Sequence, residues 1–244
     1  TADLLNAIQA LSQLSYTPDS FRLSLEARVI LSDGRAFVKG VLEIFLEKSK
    51  YSTCHVVKGV FDVAGKPLPF RKRLKVVSRP SYGVIMKTLA SNSMRAYFVD
   101  DANYLMAFQN FALANQKGYD KFTTMAVNFE QLLEAANRTS EDTITYFAMH
   151  PDYDDMGRMK PKTIGKMLDN QLCVEGMFPI VLVAERMEDG YRFVTQTDGT
   201  TPAKSPMGMF SENVIDNDLK AVDAAIRDYW GLKPLTDNDS KEDN

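Results

Sequence analysis

The chain has 244 residues, a formal net charge of -3, 45% hydrophobic and 25% charged residues. That length suffices for one sizeable core, and the balance is ordinary for a water-soluble globular protein. The slight acidity excludes bulk attraction to nucleic acid or anionic membrane, so any such binding needs a local basic patch.

The opening "TADLLNAIQALSQL" spaces Leu4, Leu5, Ile8, Leu11 and Leu14 as a helix does, and "TPDS" breaks it. "FRLSLEARVIL" reads as a strand, "SDGRAFVKG" as a loop and "VLEIFLEKSKY" as a short helix. "CHVVKGVFDV" is a second strand, stopped by the glycine and prolines of "AGKPLPF". "RLKVVSRPSYGVIMKTLAS" holds a short strand and a helix before the strand "AYFVDD". "ANYLMAFQNFALANQKG" is expected as a helix ended by Gly118. In the next helix Phe122, Met125, Phe129, Leu132, Leu133 and Ala136 share one face. "TITYFAMH" and "MFPIVLVAE" are apolar strands, and "EDGYRFVTQTDG" reads as a hairpin with an Asp-Gly turn. "NDLKAVDAAIRDYWG" closes the fold as an amphipathic helix stopped by Gly231, with Tyr229 and Trp230 packing it on the sheet. One domain over residues 1–232 is expected, followed by a disordered acidic tail over 233–244.

Strands that are apolar along their length and bounded by helices imply an α/β fold of three layers, with a mostly parallel sheet covered on both faces. Ligands in such sheets bind beyond the carboxyl ends of the strands. Asp100, Asp101 and His150 all stand at those ends. The acid pair suits a metal site for a bound triphosphate, and equally a helix start, where carboxylates favour the dipole and cap free amides.

No apolar run reaches the roughly 18 residues of a membrane span. No secretory signal is read at the amino terminus, so a cytoplasmic protein without membrane contact is expected. Cys54 and Cys173 lack partners at metal-ligand spacing and read as reduced thiols, each a small buried hydrophobe. With His55 and His150 as the only histidines, a zinc site is not expected.

Between Gly65 and Trp230 the chain resembles the bacteriophage-encoded RecA-like P-loop ATPases of phage recombination and single-strand annealing. The stretches that carry the resemblance are "GKPLPF", "AYFVDDANYLM", "KGYDKFTTMAVNF", "MGRMKPKTIGKMLDNQLCVEGMFPIVLVAE", "TDGTTPAKSPMGMF" and "NDLKAVDAAIRDYW". Residues 1–50 do not resemble the amino terminus of that family.

The resemblance implies a P-loop NTPase of RecA-like topology, ATP and Mg²⁺ as cofactors, and a homo-oligomer acting on single-stranded DNA inside a bacterial host cell. Asp100 would then hold Mg²⁺ through water, and Asp101 would orient the attacking water or act as base. His150 stands where related folds place a residue that senses the γ-phosphate; a structural, capped histidine is the other reading. Arg158, Lys160, Lys162 and Lys166 form a basic run that suits phosphate or single-stranded DNA, or a solvated surface. Lys204 suits a cation reaching a neighbouring subunit's nucleotide, or a surface turn flanked by prolines. "PDYDDMG" fails as a calcium loop, because Thr163 stands where glutamate is needed.

A phosphate loop requires G-x-x-x-x-G-K-S/T between a strand and a helix. At that place the chain reads "DGRAFVKG", residues 33–40. Lys39 stands at the lysine position, but Asp33 and Val38 replace the glycines and Gly40 replaces the hydroxyl. "EKS" (47–49) and "KTIGKM" (162–167) fail as alternatives. By the resemblance, Lys39, Gly40 and Asp100, with Asp101 beside them, would form a residual nucleotide site; the alternative is a pseudo-ATPase retained as a scaffold or partner-binding subunit.

Overall fold

The computed structural model describes residues 27–32, 58–65, 76–188 and 190–235. In chain order these form β1 (Ala27–Ser32), β2 (Lys58–Asp62), β3 (Val76–Ser78), α1 (Tyr82–Ala90), β4 (Ala96–Asp100), α2 (Asn103–Ala112) and α3 (Asp120–Ala136). Then follow β5 (Ile144–Met149), β6 (Pro151–Tyr153), β7 (Met159–Pro161), α4 (Lys166–Gln171), a 3-10 turn (Glu175–Met177), β8 (Ile180–Met187), β9 (Gly190–Val194), β10 (Val214–Asp216) and α5 (Leu219–Trp230).

Among the described residues one eight-stranded sheet runs in the order β10-β9-β8-β1-β5-β4-β2-β3. Every neighbouring pair from β8 across to β3 is parallel. β9 and β10 add an antiparallel margin. β6 and β7 form a separate antiparallel ribbon.

Side chains alternate between the two faces of the sheet, as the strand period of two requires. Phe61, Tyr97, Val99, Phe147 and Met149 lie on one face, in a core with Ile85 and Leu89 of α1, Met106 of α2, Phe129 and Leu133 of α3, and Leu168 of α4. Val60, Phe98, Tyr146, Leu182 and Ala184 lie on the other face against Leu219, Val222 and Ile226 of α5. β4 and β5 are therefore buried on both sides, which is why they read as unbroken hydrophobic runs. Tyr229 and Trp230 pack against the second core.

Local chemistry fixes the helix ends. The Ser81 side chain accepts the Val84 amide of α1 at 3.4 Å. Asp218 accepts the Lys220 and Ala221 amides of α5 at 2.8 and 3.3 Å, satisfying amides that the helix itself leaves open. Gly231 ends α5 in the left-handed region at φ 64°.

Two local expectations change. α2 ends at Ala112, well before Gly118. Its last fully buried residue is Met106 and Phe111 is exposed, so no core contact holds a further turn. Cys173 is a free thiol, but exposed rather than buried. The expected amino-terminal helix, the loop 33–40, the helix over 41–51 and residues 236–244 lie outside the described residues, as do Cys54 and His55. Among the described residues no helix is long and apolar enough to cross a membrane.

Candidate functional site

Three acidic residues stand at the carboxyl rim of the sheet. Asp62 ends β2 directly opposite Asp100, which ends β4, and Asp101 follows. All three are buried, at 2%, 8% and 2% exposure. The Asp62 carboxylate accepts the Gly65 amide at 2.8 Å, and the Asp100 carbonyl accepts the Val63 amide at 3.2 Å. The first bond turns the chain just after β2, and the second continues the β2–β4 ladder by one residue.

Asp101 turns the chain from β4 into α2. Its backbone sits in the left-handed region at φ 57°, which aspartate tolerates better than most side chains. The turn is held by the Tyr104 amide donating to the Asp101 carbonyl at 2.8 Å and the Ala102 amide donating to the Ala148 carbonyl at 2.9 Å. Oδ1 of Asp101 is thereby presented to His150, the residue that follows β5, with Nε2 3.1 Å away. The Asn103 side chain accepts the His150 amide at 3.2 Å, and Tyr104 meets the imidazole edge-on at 5.8 Å. His150 is thus fixed from the backbone, one ring face and one ring nitrogen.

β1 lies between β5 and β8, and its last residue, Ser32, pairs level with Met149. The end of β1 therefore stands beside His150 and one strand from the acids. Lys39 and Gly40, proposed from sequence for the same rim, lie outside the described residues.

The basic run divides. Arg158 is bound to Asp154 within the β6–β7 ribbon, Nε to Oδ2 at 2.8 Å, and Lys160 meets Asp169 at 3.5 Å. Lys162 and Lys166 are exposed. Lys162 follows β7, and its amide donates to the His150 carbonyl at 2.8 Å, so this end of the run borders the rim. Lys204 is placed elsewhere. It pairs with Val181 on the margin of β8 away from β1, about three strand spacings, roughly 14 Å, from β5. Burial pushes its amine below the ordinary value, while Cys173 and Glu175 beside it act in the opposite direction.

Sequence reading missed Asp62, Asn103 and Arg79. "GVFDV" does end in an acid, as "AYFVDD" does, and that parallel was the available signal. Arg79 follows β3 at φ 51°, donates its amide to the Asp62 carbonyl at 2.8 Å, and lays its guanidinium 5.1 Å from the Phe108 ring centre. Nothing local in "VVSRPS" announces that placement.

Among the described residues no group of three or more His, Cys, Asp or Glu side chains is set to hold a metal. Magnesium, however, is commonly held by one or two carboxylates together with water and substrate phosphates. Asp100, a buried carboxylate at the strand end, fits that smaller role. In comparisons with known proteins, the chain matches no family model and no curated sequence.

Proposed function

We propose that the chain is a RecA-like nucleotide-binding protein whose acid rim receives the phosphate end of ATP, and that it acts as a homo-oligomer on single-stranded DNA in recombination or replication. One observation carries the reading. Asp101 and His150 join the ends of β4 and β5 at 3.1 Å, on the rim where β1 also ends. A rim shared by three parallel strands is where phosphate ligands enter open α/β sheets. Asp100 is the residue that would hold an ion arriving with the triphosphate. The ion would offset phosphate charge there. Asp101 holds the His150 ring at this rim.

Calorimetric titration with ATP and Mg²⁺ tests this. Heat and a raised melting temperature are expected in the wild type, both diminished in Asp101→Asn. A wild type that gives neither would remove the reading.

A second reading is a pseudo-ATPase kept as a scaffold or partner-binding subunit. Asp33, Val38 and Gly40 in the sequence that follows β1 favour it. It requires that Asp101→Asn leave cellular function unchanged, and loss of function in that variant would remove it.

A further inference from the structure

We infer that the cleft beside His150 is a second ligand site, one that takes a phosphate monoester carried on a flat, apolar body. The cleft measures about 470 Å³ and lies between α2 and the segment that follows β5. That volume is usual for a small-molecule pocket.

Its two sides differ in chemistry. Tyr104, Ala107 and Ile164 supply an apolar wall. The Tyr104 ring is held by two tilted or edge-on neighbours, Phe108 at 5.7 Å and His150 at 5.8 Å. A ring fixed in this way offers a flat surface at little entropic cost. Asn103, His150 and Lys162 form the polar side. The Asn103 oxygen is committed to the His150 amide, which leaves its N–H₂ end as the donor. Lys162 adds a cation, and no carboxylate lines the cleft. The Asn103 N–H₂ donor and the Lys162 cation, with no lining acid, select an anion, and a phosphate monoester can accept from both.

The cleft borders the rim proposed for ATP but is not formed by its acids, because Asp62, Asp100 and Asp101 do not line it. It shares one residue with that rim. His150 forms part of the cleft wall while its Nε2 faces Asp101. The inference does not depend on the ATP reading.

The test is titration of the whole chain with phenyl phosphate and with a nucleoside monophosphate, followed by calorimetry and by the ring-proton resonance of His150. The chain has only two histidines, so the signal is readily assigned. Saturable binding of at least one monoester is expected, with a shift of the His150 resonance. The same compound without its phosphate should bind at least about tenfold more weakly. Lys162→Ala should weaken binding by a similar factor, and Ala107→Phe should fill the cleft and abolish it. Lys162 is exposed, so its variant tests the site even where Ala107→Phe folds poorly. No monoester binding at millimolar concentration, or equal binding by wild type and both variants, would overturn the inference. Which of the two compounds binds identifies the body. The heat of ATP binding should persist in Ala107→Phe and fall in Asp101→Asn, so failure of one site is separable from failure of the other.

Discussion

The Tyr146 hydroxyl donates a 2.7 Å hydrogen bond to Oδ1 of Asp223, joining the middle of the sheet to the last helix. Oδ2 of the same carboxylate accepts from Arg227 Nε at 2.7 Å. The Arg227 guanidinium, only 1% exposed, donates onward to the carbonyls of Asp142, Lys233 and Arg95. Burial, and then the Asp223 carboxylate, hold the Tyr146 phenol well above its ordinary value, which favours its role as the donor. Tyr146→Phe leaves a buried carboxylate short of one partner and is expected to cost about 1–3 kcal/mol. Arg227→Met leaves a buried charge uncompensated and is expected to cost about 3–5 kcal/mol. Urea midpoints of the two single variants and the double variant check both values. Because the residues share one network, the two costs should not add.

At Asp101 backbone strain and side-chain contact are separable. Asp101→Ala keeps the left-handed backbone and loses the contact with His150, whereas Asp101→Gly loses the contact and relieves the strain. The glycine variant should therefore be the more stable of the two by about 1 kcal/mol. Chemical denaturation gives the order, and an alanine variant at least as stable would contradict the strain at φ 57°.

Pairing within the basic run makes its members unequal toward DNA. Arg158 and Lys160 already face Asp154 and Asp169. Lys162→Ala and Lys166→Ala should each lower the salt dependence of single-strand binding by about 0.7 in log K against log salt. Arg158→Ala should change it less. Fluorescence anisotropy with a labelled oligothymidylate over a salt series measures the three slopes. Identical slopes in all variants would separate this run from DNA binding.

The tip of the β6–β7 ribbon should respond to acid. Hydrogen bonds from the Arg158 backbone lead the causes that hold the Asp154 carboxyl below its ordinary 3.8. A depressed carboxyl stabilises the fold above its unfolded value, and that contribution is lost as pH falls through the folded value. The Met156 and Arg158 amides, each 2.9 Å from Asp154 Oδ1, should therefore shift with an inflection below 3.8. Amide resonances followed over a pH series give the inflection point. Asp154→Ala should reproduce the loosened tip at neutral pH.

Gly65 should not accept a side chain. Its φ is +69°, and an added Cβ would come within 2.6 Å of the Arg79 side chain. Gly65→Ala is expected to lower stability by about 1–2 kcal/mol. It should also move Arg79 from the Phe108 ring, which aromatic proton shifts of Phe108 would record.

Elements were legible in the sequence because their causes are local. "TITYFAMH" and "AYFVDD" are apolar on both sides of the strand, so a sheet covered on two faces follows from side-chain period alone. The stop at Gly231 follows from a backbone rule at a single residue. The placement of Asp100, Asp101 and His150 at strand ends was legible for the same reason. Tertiary structure alone decided which ends meet. Strands buried on both faces carry much the same residues, so nothing in β2 names β4 as its neighbour, and nothing in β1 places it between β5 and β8. The opposition of Asp62 and Asp100, the reach of His150 to Asp101, and the removal of Lys204 to the far margin of β8 come from that pairing. Register is a contact between residues far apart in the chain, set by how whole faces pack, and local pattern does not encode it.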